Sequence, residues 1–173
     1  MRVTYGRELK LKERLDALEI NCFIPMEYKE VLKRGEKKRL LVPVVHNLIF
    51  IHSSRKSIDA LKKQFESAAP MRYMIDRATN SPIVVPDRQM QDFIAVAGTM
   101  NEQLVYLKDV NAAVCKGDRV RVLEGVFAGV EGEVLRIKRD RRVVVTIKGV
   151  LAVAMAHIDS SFLQKIENKR SDL

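Results

Sequence analysis

The apolar positions of this chain change period along its length, and the changes divide it. Between Arg7 and Leu18, Leu11, Leu15 and Leu18 recur at helical spacing with Arg7, Lys10 and Arg14 as a basic stripe beside them, which predicts an amphipathic helix. The segment Asn21–Met26 is extended and leads through Tyr28 and Val31 to the polar run Lys33–Arg39. An apolar return from Leu40 to His52 makes the pair a long hairpin with that run at its tip. Ile58, Leu61 and Phe65 mark one side of a second helix. Short strands at Arg72–Asp76 and Ile83–Val85 flank the loop Thr79-Asn80-Ser81-Pro82. Pro86-Asp87 suits the first turn of a third helix that buries Met90, Phe93 and Ile94 and is capped by Gly98. The order β-α-β-β-α-β-β-α predicts an α+β fold, an antiparallel sheet with flanking helices.

Beyond Gly98 the helical period is lost. Residues 99–115 read as a linker, with a possible short strand at Leu104–Leu107. From Lys116 onward the pattern is β throughout: Arg119–Leu123, Gly132–Lys138, Arg141–Ile147, Val150–Ala156 and Phe162–Ile166, with turns at Arg139-Asp140 and Lys148-Gly149. A flat sheet this small would leave its core open, so the five strands predict a small SH3-like five-stranded β-barrel. The chain therefore divides into a first domain (1–98), the linker (99–115) and a barrel domain (116–173). At the start of the barrel Val120, Val122 and Val134 take one strand face, while Arg119, Arg121 and Glu133 take the other. Gly125, Gly129 and Gly132 follow where a turn needs positive φ or the backbone must approach closely.

Charge and composition narrow the function. A net charge of +9 favours an anionic partner such as nucleic acid, and the excess is uneven: residues 1–98 contribute +6 and residues 99–173 contribute +3. The longest apolar run, Val150–Ala156, is far shorter than the roughly 20 residues of a membrane helix, and no signal peptide opens the chain. The reading is a cytoplasmic monomer. Cys22 and Cys115 stand apart with no CxxC spacing, so neither a disulfide framework nor a zinc cluster is predicted, and no cofactor is implied. His157, Asp159, Ser160 and Ser161 supply the residue types of a triad, but adjacency in sequence does not assemble a nucleophile, an oriented base and an oxyanion hole. Cys22 and His46 are a second pair that folding would have to bring together. Without a phosphate-binding loop or clustered metal ligands the chain does not read as an enzyme.

The run from Lys116 to Val134, KGDRVRVLEGVFAGVEGEV, resembles the KOW motif, with Val126 where members often carry proline. A short α+β domain, a linker and a KOW barrel together resemble the NusG family of transcription elongation factors. Asn21–Met26 is similar to the strand after the first helix of its RfaH-like paralogues. Asn47–Ile51 sits at the aromatic-rich strand of the N-terminal domain, and Ser81–Pro86 matches the segment before its last helix. The tail from Glu133 to Ile166 looks closest to UpxY-like antiterminators of capsular polysaccharide operons. The sequence departs at its first strand, which lacks the usual aromatic pair, and at His46 and Leu48, where proline and tyrosine are common.

The resemblance implies specific sites. Leu48 and Phe50, with His46 beside them and Ile75 on a neighbouring strand, would hold the clamp helices of RNA polymerase; simple core packing is the alternative for the two apolar residues. Arg7, Lys10 and Arg14, with Tyr5 for stacking, would touch non-template DNA, although a solvated helix face explains the same charges. In the barrel, Phe127 at the tip of the Gly125–Gly129 loop, with Arg139 on a nearby turn, would dock a ribosomal protein or the termination factor Rho. The cluster Arg136, Lys138, Arg139, Arg141 and Arg142 leaves an RNA-binding or ribosome-associated KOW protein as the rival reading. Val143-Val144-Val145 and the barrel glycines oppose helix, so the barrel is expected to be permanent.

Overall fold

Residues 1–33, 35–107, 117–137, 140–155 and 157–166 are described in the computed structural model, whose contacts form two units, Met1–Val84 and Val85–Leu173. Cys115, Lys138 and Arg139 lie outside the described residues, as does most of the C-terminal half of the expected linker.

In the first unit, α1 (Glu8–Ala17) buries Leu11 and Leu15 completely, one turn apart, while Leu18 is exposed just past its end. α2 (Arg55–Gln64) starts at Ser54, whose side chain accepts the Ser57 N–H, and buries Leu61. The sheet is assembled from short pieces. β1 (Arg2–Val3) pairs antiparallel with β6 (Met71–Arg72), and on its other edge Arg2 bridges Leu48. β2 (Cys22–Phe23) pairs with β5 (Phe50–Ile51). The segment 47–51 is thus the central strand, between β1 and β2. Val3, Ile24, Ile49 and Met71 meet Leu11, Leu15, Leu61 and Phe65 in one core.

The predicted return strand from Leu40 to His52 is broken. β3 (Met26–Lys33) and β4 (Glu36–Pro43) form a separate two-stranded ribbon, and a turn intervenes before β5, with Asn47 at φ 64°. Pro43 cannot donate to a further ladder bond, and Asn is among the few residues that tolerate the left-handed conformation. Nor is the whole polar run a tip: Lys37, Lys38 and Arg39 are strand residues opposite Leu32, Val31 and Glu30. β7 (Ile75–Asp76) and β8 (Ser81–Pro82) make a further ribbon.

The second unit begins with α3 (Asp87–Ala97), which packs on β11 (Glu131–Ile137), β12 (Asp140–Ile147) and β13 (Leu151–Ala154). Sequence assigns this helix to the first domain, whereas its contacts group it with the second unit. Phe93, Val96 and Ala97 are buried on it; Ile94 is exposed and Asp92 buried instead. Gly98 caps the helix in the right-handed region, at φ −68°, so the cap does not use a left-handed glycine. With β9 (Val105–Leu107), β10 (Arg119–Val122) and β14 (Leu163–Lys165), one six-stranded antiparallel sheet runs in the order β14-β10-β11-β12-β13-β9. In the first unit the stretch predicted at Arg72–Asp76 is divided between β6 and β7, and the strand predicted at Ile83–Val85 is replaced by Ser81-Pro82, which pair with Ile75-Asp76. Here the five strands predicted from Lys116 onward all form. β9, drawn from the expected linker, makes a sixth, and no pairing joins β14 to β9 among the described residues.

Two glycine roles are explicit. Gly125 and Gly129 both sit at φ 84°, the left-handed region. At Gly132 a Cβ would stand 2.7 Å from the Val144 carbonyl oxygen on the paired strand. Gly132→Ala should therefore cost about 1–3 kcal/mol through forced backbone displacement, read as a lower urea midpoint with unchanged m-value.

Candidate functional site

Strand alternation sorts the central sheet of the first unit. Val3, Met71 and Ile49 point into the core, so Arg2, Arg72 and Leu48, in register across three strands, share the opposite face. Phe50, opposite Phe23, continues that face, and both rings are half-buried. Arg2 and Arg72 are exposed and directly opposed, a like-charge pair that disfavours the strand pairing it belongs to. Leu48 is only 2% exposed, so it is not an open contact residue. Ile75 is exposed but pairs with Pro82 in the β7–β8 ribbon, not with the central strand. His46 projects from the turn before the strand, with Nδ1 3.8 Å from the Glu8 carboxylate. Arg2, Arg72 and Phe23 were missed from sequence; only the register of short strands brings them beside Leu48 and Phe50.

At the start of α1, Tyr5 is 83% exposed in a left-handed conformation, φ 63°. Arg7 lies 5.5 Å from its ring centroid and donates to the Ala68 carbonyl at 2.9 Å. Arg14 leans over the Phe65 ring at 5.8 Å, and Lys10 is exposed. The structure thus joins Tyr5 to Arg7 but leaves Lys10 and Arg14 farther along the helix.

The loop between β10 and β11 is folded tightly: Gly129 N–H donates to the Val122 carbonyl at 2.7 Å and Ala128 N–H to Gly125 at 3.1 Å. This turns Phe127 inward to 6% exposure and Val126 outward to 84%. Phe127 is therefore a core residue of the loop, and Val126, with exposed Leu123 and Phe162, supplies its apolar surface. Leu123 and Phe162 are linked by a backbone hydrogen bond of 2.8 Å.

Beside that loop, Glu131 gathers Arg121 at 2.6 Å, Arg119 at 3.1 Å and Arg88 of α3 at 3.9 Å. The Arg121 hydrogen bond, with the other two cations, holds its carboxyl below the ordinary range. Arg88 also pairs with buried Asp92 at 3.3 Å and donates to the Gly129 carbonyl at 2.7 Å. A cavity of about 370 Å³ lies between α3 and the sheet, lined by Gln89, Asp92, Glu131, Glu133 and Thr146 among others. Burial raises the Asp92 and Glu133 carboxyls above their usual range, partly opposed by Arg88 and Arg119 respectively.

Residues 1–94 match the family model described as transcription termination factor nusG, and residues 116–148 match the KOW motif. The chain belongs to the NusG family. It is a transcription elongation and termination factor by family, and the family's members typically interact with RNA polymerase. No curated protein sequence matches the chain significantly. Among solved structures, the one titled "Domain interaction in Thermotoga maritima NusG" is 19% identical with a TM-score of 0.42, over 96% of this chain and 94% of that one.

NusG-family proteins are transcription factors, and of the candidate catalytic groups Asp159, Ser161, Cys22 and His46 have local partners. Asp159 accepts from Ser161 N–H at 2.8 Å and from its hydroxyl at 2.7 Å, an N-cap of the short 3₁₀ turn Ser160–Phe162. Cys22 donates to Asp16 at 3.6 Å, while His46 faces Glu8. Among the described residues no group of three or more His, Cys, Asp or Glu is placed to hold a metal. No helix among them is long and apolar enough to cross a membrane.

Two measurements follow from these environments. Burial pushes the Cys22 thiol up to about 11, so its alkylation, tracked on the Cys22 peptide by mass spectrometry, should run at least about tenfold slower than free cysteine at neutral pH. For Glu133, a raised folded-state pKa means that ionisation costs stability as pH rises past the ordinary glutamate value of 4.5. Glu133→Gln should raise the thermal midpoint at neutral pH, and the gain should fade below about pH 4, where both states are protonated.

Proposed function

We propose that the chain is a specialised antiterminator that binds the clamp helices of RNA polymerase through its N-terminal domain and suppresses pausing or termination. The observation that carries this reading is the sheet face on which Arg72, Arg2 and Leu48 align beside Phe50 and Phe23. Buried Leu48 is its floor. The half-buried rings provide apolar contact, and the arginines and His46 form a polar rim. An acidic group on the partner relieves the repulsion between Arg2 and Arg72, so the face gains more by binding than an isolated cation would. Tyr5 and Arg7, with Lys10 and Arg14 farther along α1, are the proposed contact to non-template DNA.

In the second unit, residues 116–173 act as the docking module, with β10–β14 closing as an SH3-like barrel that stays a sheet. Val126, flanked by Leu123 and Phe162, takes the docking role expected of Phe127, between the turns set by Gly125 and Gly129; Arg139 belongs to the same proposal. The second partner is the ribosome or Rho, and the targets are polysaccharide biosynthesis operons in the cytoplasm. The mechanism is a shift in population between elongating and paused complexes, with no chemistry on a substrate.

Arg72→Glu separates binding from folding. Opposite Arg2 it replaces a like-charge pair by an ion pair, so the fold should gain about 0.2–1 kcal/mol in urea titration. Polymerase affinity should nevertheless fall by about tenfold, and pauses should lengthen. Unchanged affinity in the folded variant would overturn the clamp-helix reading. RNA binding without polymerase that requires Arg136, Arg141 and Arg142 would favour the ribosome-associated alternative instead.

A further inference from the structure

α2 turns a basic face outward that neither the sheet nor α1 uses. Arg55, Lys56, Lys62 and Lys63 fall within about a third of the helical circumference, away from buried Leu61. The acidic residue among them, Asp59, is already engaged: it accepts from the Tyr73 hydroxyl at 2.8 Å and lies 3.4 Å from Arg55 and 4.0 Å from Lys62. The Tyr73 ring holds the same two cations, each 4.5 Å from its centroid. Arg55 and Lys62 are seven residues apart, about 10 Å along the helix axis, so one half-buried ring orders charges about two turns apart. Lys56 and Lys63 repeat that spacing in an adjacent row, with no ion pair among the described residues.

We propose that this face docks the phosphate backbone of duplex DNA. Two rows of cations about 10 Å long suit a backbone bearing closely spaced phosphates, and lysine and arginine bind it by releasing condensed counterions. Single strands fit less well, because they gain most from stacking on exposed aromatic faces and Tyr73 is half-buried against its cations. An acidic protein fits less well too. Protein interfaces are anchored by large buried side chains, and none of the exposed large hydrophobic residues lies on α2. Such contacts position a protein without reading sequence, so the face is a sequence-independent tether.

The test needs no polymerase, so its outcome is independent of the clamp-helix reading. The full chain is titrated into a fluorescein-labelled 20-base-pair DNA duplex, with anisotropy read across a series of salt concentrations. Lys56→Gln/Lys63→Gln leaves the Tyr73 cluster untouched, and circular dichroism verifies its fold. Loss of two phosphate contacts should lower the slope of log affinity against log salt by roughly 2 and weaken low-salt binding by about tenfold or more. Lys37→Gln/Lys38→Gln on β4 removes the same net charge and should leave the slope within about half a unit of the parent. An unchanged slope in the α2 variant, an equal fall in the β4 variant, or a loss of affinity in the α2 variant that is larger for single-stranded DNA, duplex RNA or poly-glutamate than for duplex DNA would each overturn the proposal.

Discussion

The first unit depends on the strand from Asn47 to Ile51 being held on both edges. Val3 N–H donates to the Asn47 carbonyl at 2.9 Å and Ile49 N–H to Met1 at 3.1 Å on one side; His52 N–H donates to Asn21 at 2.9 Å on the other. With the strand pinned, the period of two sends Ile49 into the core and Leu48 and Phe50 to the opposite face. A slip of one residue would exchange those faces and place a different set of side chains beside Arg2 and Arg72. The same register therefore supports the core and presents the candidate interface.

The Asn47 turn carries that register to α1. Its left-handed backbone allows the Asn47 side-chain oxygen to accept Gly6 N–H at 2.8 Å, just before the helix begins. Glu8, in the first helical turn, is then buried at 2% exposure, and its Oε2 has no hydrogen-bond partner among the described residues. A carboxylate in that position interacts favourably with the helix N-terminus, which offsets part of its desolvation. His46 rides on the turn, so its place beside Glu8 is set by backbone geometry more than by its own chain neighbours.

Elements whose signals are local were legible in the sequence. The leucine period of α1, the Pro86-Asp87 start of α3, the five KOW strands and the glycine roles at 125, 129 and 132 all follow from residues close in the chain. What sequence obscured depended on distant partners. An apolar run from Leu40 to His52 does not reveal that its two ends pair with different strands, and the consequence is that His46 leaves the strand. Asp92 is buried where Ile94 was expected because Arg88, four residues earlier, and the sheet accommodate its charge. Phe127 looked like a loop tip, but the backbone bonds at Gly125 and Gly129 reverse which side chain points outward.

The same distinction governs the charge of +9. Counted along the chain, every cation is equivalent; in the fold they are not. Arg88, Arg119 and Arg121 converge on Glu131, whose side chain is only 13% exposed, and so stabilise the second unit at the expense of their availability to an anion. Arg7 spends a donor on a backbone carbonyl. By contrast, Arg2 and Arg72 face each other, and Lys56 and Lys63 stand beside a carboxylate already shared by other groups. Repulsion left unresolved within the fold makes an external anion worth more at these positions. The distribution of unneutralised cations, not the net charge, therefore sets where the fold offers its excess positive charge.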